Sequence, residues 1–383
     1  MKIVIAAPLF PPDIGGPATY TYNLAKGFAQ QGIDVLVVTF GAAKNLLWER
    51  TSQGFKKIEI PRQTNKIVNY FSYFSQILQN SRDVDVIYIH DIWSVGLPVF
   101  FANLFLRKKM ILRLGGDSLW EKAAQKYDIK VSLEDFYKQN QSRKLFFSRF
   151  LQDMILRKTA KIIFSCEFLK DIFLKYRKAP ANKSVIIENS QGIDIVDNQE
   201  LIIDKPNSEK IILFAGRLAK CKNLETLLKV FCRLTEQDSS LRLRLIGQGP
   251  QLSELMSLAT HLGLAGKVQF VSPQSQETIF AQIAASYLCC LVSFTEVSPN
   301  FALECLALKK PLVLTKHNGL PKNIKRELIM VNPYDEQEIF EAIANLLDKN
   351  NYQNYRQTIA RLQLNRTWGN VINEHIDLFS KYV

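Results

Sequence analysis

The fold is decided by residues 2–40, which contain the apolar run KIVIAA (2–7), the helical pattern TYTYNLAKGFAQQG (19–32) and a second apolar run, DVLVVTF (34–40). This order is typical of a βαβ unit, in which a helix joins two parallel strands. The alternation continues along the chain with DVIYIH, MILRL, KIIFS and SVIIEN, which are separated by helical patterns. The first half therefore predicts a doubly wound parallel α/β sheet.

A second series of the same kind follows a polar stretch at residues 194–209: IILFAG, LRLRLIG, VQFVS, YLCCLVS, PLVLT and LIMVN. A chain of 383 residues also exceeds the size at which single cores stop growing, about 250–300 residues. We therefore predict an α/β protein with two Rossmann-like domains, at residues 1–195 and 205–365, facing a central cleft. The amphipathic C-terminal helix, at about residues 366–383, must bury its apolar face and could pack back on the first domain.

The composition narrows the class of protein. The six cysteines include no CxxC pair, and the four histidines show no i, i+4 pair, so a zinc site is not expected. The pair Asp83 and Asp85 precedes its strand instead of ending it, which disfavours metal-dependent chemistry. We expect neither a metal nor a cofactor. The N-terminus is interpreted as a first strand and not as a signal peptide, which indicates a cytoplasmic protein.

The net charge of +13, concentrated in the first 200 residues, indicates anionic partners. Nucleic acid is disfavoured because no recognised binding motif accompanies the charge. An anionic membrane surface and phosphorylated substrates remain as alternatives, and the first of them predicts a cytoplasmic protein in peripheral contact with the inner face of the cytoplasmic membrane. Residues 142–161 are basic and amphipathic, with Phe147, Phe150, Leu151, Met154 and Ile155 on one side. They predict either an interfacial helix or a core helix with snorkelling cations.

The clearest chemical motif is TEVSPNFALECLAL at residues 295–308, in which seven residues separate Glu296 from Glu304. Ser298 is suited to cap a helix and Pro299 to begin it. A strand would thus deliver Glu296 to a loop where a helix N-terminus offers an anion site. Glu304, on the second turn, could accept hydrogen bonds from sugar hydroxyls. Simple solvation of a helix by two glutamates is the alternative interpretation.

A second motif, IILFAGRLAKCKNLETLL (211–228), ends a strand at Gly216 and Arg217 and begins a helix near Asn223, with Lys222 just before it. Two cations at the mouth of a parallel sheet could neutralise a diphosphate without a metal. Solvent exposure of both side chains is the alternative.

Four glycines lie in strand-to-helix turns, where a backbone without side chains can approach a phosphate or nucleotide: Gly15, Gly16, Gly247 and Gly249. Turn formation alone is the competing explanation. The GxGxxG spacing is absent, and Gly41 follows the second strand in place of an acidic residue, which disfavours a dinucleotide dehydrogenase.

Polar residues also follow two strands of the first half: His90 and Asp91 after one, Asp117 and Glu121 after another. Ligands bind at this edge of parallel sheets, so these residues are candidates to bind an acceptor hydroxyl. Turn formation for His90 and Asp91, and helix capping for Asp117, are equally supported by the sequence.

Taken in order, these segments resemble glycosyltransferase family 4 over nearly the whole chain, from GGPATYTYNLAKGFAQQGIDVLVVT to EVSPNFALECLALKKPLVLT. The resemblance implies a GT-B fold and metal-independent, retaining transfer from a nucleotide-diphosphate sugar to a glycan or lipid-linked glycan, as in cell-surface polysaccharide biosynthesis. It implies that Arg217 and Lys222 hold the diphosphate, Glu304 the ribose and Glu296 the transferred sugar, while Gly16 approaches the phosphates. The implied donor-binding set also includes Gly15, Gly216, Gly247, Gly249, Ser298, Asn300 and Phe301.

Two departures from the family pattern concern the donor sugar. Leu114 stands where many relatives have a sugar-contacting histidine, which makes Asp117 the substitute candidate for catalysis. Lys309, Lys310 and Asn318 replace common glycines. A non-catalytic nucleotide-sugar-binding subunit and a sugar-nucleotide epimerase or a phosphorylase of similar fold are the alternatives to a transferase.

Overall fold

The computed structural model describes residues 1–13, 15–140, 145–191 and 209–382. Two compact units are present. Unit 1 contains Met1–Leu119, Asn140–Ser190 and Thr367–Val383, and unit 2 contains Trp120–Gln139 and Gln191–Arg366. The predicted class of two parallel-sheet α/β domains is confirmed. The linker predicted between residues 195 and 205 lies outside the described residues.

The strands and helices alternate as the sequence predicts. The strands are β1 Lys2–Ala7, β2 Asp34–Gly41, β3 Leu47–Arg50, β4 Lys56–Pro61, β5 Val86–Ile89, β6 Lys109–Leu114, β7 Lys161–Phe164, β8 Ser184–Ile186, β9 Lys210–Ala215, β10 Leu241–Ile246, β11 Val268–Val271, β12 Leu288–Leu291, β13 Leu312–Thr315 and β14 Ile329–Val331. The helices are α1 Gly16–Gln30, α2 Lys66–Asn80, α3 Gly96–Leu106, α4 Ser118–Tyr127, α5 Leu133–Lys138, α6 Phe146–Lys158, α7 Glu167–Arg177, α8 Leu224–Gln237, α9 Leu252–His261, α10 Gln276–Ala285, α11 Asn300–Ala307, α12 Lys322–Lys325, α13 Glu336–Asn345, α14 Lys349–Ala360 and α15 Trp368–Phe379.

Unit 1 is built on an eight-stranded sheet in the order β3-β4-β2-β1-β5-β6-β7-β8. Its central strand, β1, pairs in parallel with β2 and β5, so that Ile3 lies opposite Val35 and Val86. Helices cover both faces of such a sheet, which explains why its strands are continuous apolar runs. The antiparallel pair β3–β4 at one edge was not predicted.

The C-terminal helix α15 packs on unit 1. Its Val371 and Phe379 are buried in the same core as Phe28 of α1. Gly27 allows this close approach, because a Cβ atom there would lie 2.1 Å from Ile372. Tyr88 Oη and His375 Nε2 are 2.9 Å apart and satisfy each other inside the core.

Unit 2 contains a six-stranded sheet in the order β11-β10-β9-β12-β13-β14, with every pair parallel. The strand order reverses between β9 and β12, because β10 lies on one side of β9 and β12 on the other. The short segment 120–139 also belongs to unit 2, although the sequence assigned it to a first domain of residues 1–195. Each unit is therefore built from separate segments of the chain, whereas the sequence predicted two continuous domains.

Candidate functional site

The predicted cations lie where ligands bind in open parallel sheets. Arg217 and Lys222 follow β9, and Glu296 follows β12, the two strands between which the order of the sheet reverses. Crevices at the carboxyl ends of such strands are the usual ligand sites of α/β folds. Backbone bonds hold the two loops together, since the N–H of Phe294 donates to Cys221 O at 3.0 Å.

Lys222 and Glu296 form an ion pair across this reversal point. Lys222 Nζ lies 2.8 Å from Glu296 Oε1, and Ser293 Oγ donates to the same oxygen at 2.5 Å. Glu296 is only 6% exposed. Burial lowers the pKa of Lys222, but Glu296, together with Cys221 and Glu121, raises it by more in total, so the pKa lies above its usual value and the ammonium stays charged. The backbone of Glu296 is fixed as well, by hydrogen bonds to His317 O and from the N–H of Gly319.

Arg217 has a different partner. Its Nη2 lies 2.5 Å from Glu121 Oε2, and both side chains are more than a third exposed. Glu121 was predicted to serve the acceptor from the first domain, whereas the structure places it in unit 2 beside the predicted diphosphate site. Glu121 holds the pKa of Arg217 above its usual range. A carboxylate thus occupies a position where an anionic ligand would meet this guanidinium.

The helix of the Glu-x7-Glu motif begins slightly later than predicted. Pro299 stands at the N-cap position and precedes the first helical residue, Asn300, whereas the sequence predicted Ser298 as the cap and Pro299 as the first helical residue. Phe301 is buried in the core of unit 2, which leaves its backbone for any contact with a donor. Glu304 accepts a hydrogen bond from Gln276 Nε2 at 3.2 Å. Burial raises the pKa of Glu304 to about 7 although Gln276 lowers it.

Asn223 begins α8 as predicted, but its side chain does not cap the helix. It adopts a left-handed backbone conformation with φ of 55° and donates to Val292 O and Pro333 O. The side chain therefore ties the loop after β9 to the loops after β12 and β14.

The two glycines after β10 have a structural reason for lacking a side chain. A Cβ atom on Gly247 would lie 1.9 Å from Gly216 O, and one on Gly249 would lie 2.2 Å from Leu218 O. The loops after β9 and β10 run against each other here, with Leu218 N donating to Gln248 O at 2.9 Å. Close backbone approach is thus sufficient to require these glycines, and their contact with a nucleotide stays a prediction.

Segment 120–139 supplies residues near the site that the sequence did not reveal. The N–H of Leu133 donates to Thr295 Oγ1 at 2.9 Å, next to Glu296. Tyr334, after β14, accepts from the N–H of Ser132 and stacks on Phe294. Tyr334 lies two residues after the strand pattern LIMVN, a position that could have identified it.

In unit 1, His90 is the most informative of the predicted residues. Thr21 Oγ1 donates to Pro17 O at 2.8 Å, so at 3.1 Å it accepts from His90 Nδ1. His90 Nε2 then carries the lone pair, and this buried atom has no hydrogen-bond partner among the described residues. Burial, together with the charge of Arg113, lowers the pKa of His90 and keeps the ring neutral.

The other predicted residues of unit 1 have local roles. Asp91 accepts from the N–H groups of Trp93 and Ser94, which forms the turn before α3. Asp117 is buried, accepts from the N–H of Leu119 at 2.8 Å and lies 3.8 Å from Arg177, as expected of a helix cap. Gly15 and Gly16 stand at the N-terminus of α1, where Gly15 has φ of 148°.

The residues that replace family glycines are structural in unit 2. Lys309 adopts φ of 53°, a conformation that glycine adopts without strain. Its ammonium binds Leu362 O, and that of Lys310 binds Ala284 O and Ser286 O. Asn318 is buried beside Glu296 and binds Thr315 O.

Among the described residues, no group of three or more His, Cys, Asp or Glu side chains is arranged to bind a metal ion. Within the same residues, no helix combines the length and the apolar character that crossing a membrane requires.

Comparison with known proteins agrees with the resemblance. Residues 14–195 match the model for Glycosyltransferase Family 4, and residues 196–363 match that for Glycosyl transferases group 1. A D-inositol 3-phosphate glycosyltransferase from Corynebacterium aurimucosum is 22% identical over 88% of this chain and 83% of its own length.

Solved structures share the fold at low identity. Sucrose-phosphate synthase from Thermosynechococcus elongatus superposes with a TM-score of 0.74 at 16% identity, covering 99% of this chain and 98% of that one. HepE from Anabaena, solved with UDP and glucose, gives 0.71 at 16% identity over 99% of both chains. The two family matches adjoin and together span residues 14–363, and the chain belongs to glycosyltransferase family 4, whose fold is GT-B.

Proposed function

We propose that this protein transfers a sugar from a nucleotide-diphosphate sugar to a glycan or lipid-linked glycan, with retention of configuration and without a metal. The observation that carries the proposal is the placement of Arg217, Lys222 and Glu296 at the reversal point of the six-stranded sheet. Family membership supports the reaction class, and the UDP and glucose of HepE make UDP-glucose the first donor to test.

The two ion pairs suggest how a diphosphate would bind. The Arg217–Glu121 pair is exposed, and such pairs contribute only about 0–1 kcal/mol, so a phosphate can displace Glu121 at little cost. The Lys222–Glu296 pair is buried and costs more to break. An ammonium has three donors, so Lys222 can hold Glu296 and phosphate oxygens at the same time.

Transfer would proceed on one face of the donor sugar. The bond between the anomeric carbon and the diphosphate oxygen breaks as the acceptor oxygen forms its new bond to that carbon. The acceptor proton passes to the departing diphosphate oxygen. Charge builds up on the leaving group, where Arg217 and Lys222 would stabilise it electrostatically, an effect that is often the largest single contribution to catalysis.

Glu296 and Glu304 would hold the sugar parts of the donor. In the reaction proposed here, Glu296 binds hydroxyls of the transferred sugar while Lys222 keeps it charged, and Glu304 binds the ribose. The product would serve cell-surface polysaccharide biosynthesis. The protein would act in peripheral contact with the inner face of the cytoplasmic membrane. The net charge of +13 supports that location.

The proposal is tested first by binding and then by turnover. Calorimetry with UDP, GDP, ADP and their sugar conjugates should show one preferred nucleotide, and Arg217→Ala should weaken its binding. Turnover should survive EDTA, and NMR should show the donor's anomeric configuration in the product. Strong inhibition by EDTA that manganese reverses would refute metal independence. Isomerisation of the donor alone would identify an epimerase instead.

A further inference from the structure

Unit 1 has an unusual outer surface, formed by α2, α3 and α6. Helix α3 packs against α2 on one side and α6 on the other. Each helix joins two parallel strands, β4 to β5, β5 to β6 and β6 to β7, so the three run in the same direction. They form one continuous helical layer.

The outward side of this layer is apolar. Phe71 of α2, Phe105 of α3 and Phe147 of α6 are 71%, 72% and 68% exposed, although phenylalanine is usually buried. Further exposed side chains of the same helices are Ile67, Val68, Phe101, Leu104, Phe146 and Phe150. Aromatic contacts cross from one helix to the next, since Phe74 of α2 lies 6.3 Å from Phe105, centroid to centroid. An apolar patch of this extent on one layer indicates a binding surface.

The charges of the layer are mainly positive, although Asp83, an exposed carboxylate, follows Arg82 just beyond α2. Within α2, α3 and α6, all of which the structure describes, the single carboxylate is Asp153, and it is paired with Arg177 and Arg149. Cations lie at or just beyond the C-terminal ends of the three helices: Arg82, Arg107, Lys108, Arg157 and Lys158. An excess of cations favours binding to an anionic lipid surface, whereas binding to a protein partner of mixed charge would not require it.

A shallow, open groove of about 390 Å³ lies where the apolar and the basic parts of this surface meet. It is lined by Leu78, Arg82, Phe105, Leu106 and Lys108, at the ends of α2 and α3. Apolar side chains beside two cations suit a lipid, which presents an acyl chain below an anionic headgroup.

We propose that the α2–α3–α6 surface docks on an anionic lipid bilayer, with the phenylalanines entering the interface and the cations contacting headgroup phosphates. The two interpretations of residues 142–161 are thereby reconciled, because α6 buries Gln152, Ile155 and Leu156 and presents Phe146, Phe147 and Phe150 outward. The inference deepens the proposed function by fixing which surface would meet a membrane. It is tested without donor or acceptor, so its failure would leave the transferase proposal intact.

The experiment measures flotation of the full-length protein with vesicles of phosphatidylglycerol and phosphatidylcholine, or of phosphatidylcholine alone. We expect binding to the anionic vesicles, weakened at high ionic strength. The double variant Phe105→Ser, Phe147→Ser should reduce partitioning about tenfold or more, since each substitution removes an aromatic side chain that would be buried in the bilayer interface. The pair Arg107→Glu, Lys108→Glu should reduce it by a similar factor, because each cation near the surface is worth about 1 kcal/mol.

Control substitutions outside the three helices test whether the effect depends on the position of the lost side chain or only on its apolar character or charge. Trp48→Ser on β3 and Met256→Ser on α9 remove side chains that are 52% and 50% exposed and belong to other elements, and Lys349→Glu reverses an exposed charge on α14. These variants should bind vesicles as the wild type does. Thermal unfolding of every variant establishes that it is folded.

Three outcomes would overturn the inference. One is absence of wild-type binding to the anionic vesicles, and another is equal binding to neutral ones. In the third, the wild type does not bind vesicles but forms a dimer in sedimentation velocity, and the double variant Phe105→Ser, Phe147→Ser is a monomer. That result would assign the surface to contact with a second copy of the chain.

Discussion

Removal of the Lys222 charge should lower both the stability of the protein and its turnover, and a second substitution can then separate the two effects. Lys222 Nζ lies 2.8 Å from Glu296 Oε1, in a pair of which Glu296 is almost fully buried. Methionine keeps the aliphatic stem and removes the ammonium. In Lys222→Met, the Glu296 carboxylate therefore stays buried with Ser293 as a neutral hydrogen-bond donor and without its counter-ion.

The magnitude follows from the burial of the two partners. Breaking a fully buried pair by removing one partner costs about 3–5 kcal/mol. Part of the Lys222 side chain is exposed, 21% of its surface, so we expect about 2 kcal/mol. In a unit of this size that lowers the melting temperature by about 4–8 °C. Loss of the charge from the departing diphosphate should reduce turnover by about 100–1,000-fold.

A second substitution distinguishes the two roles of Lys222. In Lys222→Met, Glu296→Gln, the buried group is neutral, so most of the lost stability should return while turnover stays low. Calorimetric scans give the melting temperatures, and turnover of the preferred nucleotide sugar gives the rates. The reasoning fails if the double variant melts no higher than Lys222→Met. The catalytic role fails if Lys222→Met, folded at the assay temperature, turns over at the wild-type rate.

Three further predictions concern the site and the loops beside it. Glu121→Gln releases Arg217 from an exposed pair and should tighten nucleotide-sugar binding by up to about fivefold in calorimetry, whereas weaker binding would show that Glu121 itself contacts the donor. Burial raises the pKa of Glu304 to about 7, and ribose hydroxyls favour its ionised form, so nucleotide-sugar binding should be about tenfold tighter at pH 8 than at pH 6. Glu304→Gln should remove that dependence, and an unchanged slope would exclude this carboxyl as its source. Gly247→Ala places a Cβ atom 1.9 Å from a carbonyl oxygen and should destabilise by about 3 kcal/mol in urea unfolding, while Gly263→Ala, with positive φ and open space, should cost about 1 kcal/mol. Equal losses would refute the steric explanation.

The central strands were predictable because their burial on both faces leaves continuous apolar runs in the sequence. LCCL of β12 and LVLT of β13 are fully buried, and both runs are evident in the sequence. The carboxyl ends of the runs of β9 and β12 placed Arg217, Lys222 and Glu296 at one edge of a sheet, where the structure has them. Chain order and the general behaviour of parallel strands were sufficient for that part of the site.

Other features had no local signal. β3 is a four-residue edge strand, LWER, whose residues are all exposed, so it lacks the apolar pattern that identifies a strand. Segment 120–139 joins unit 2 through contacts with residues far along the chain, such as Leu133 with Thr295. Pairings of this kind depend on tertiary structure and not on periodicity, which explains why Glu121 was assigned to the wrong surroundings.

The two ion pairs at the site are unequal, and the inequality follows from where the chain places each carboxylate. Glu296 follows a central strand and is fixed by backbone bonds to residues 317–319, so its pair with Lys222 is buried and expensive to separate. Glu121 lies on a short helix near the surface, and its pair with Arg217 is exposed and cheap to separate. In the proposed reaction, an incoming diphosphate would therefore gain Arg217 at the expense of Glu121 and leave the Glu296 pair in place. Only the Glu121 contact of segment 120–139 would be exchanged, because Leu133 and Ser132 keep their hydrogen bonds to Thr295 and Tyr334.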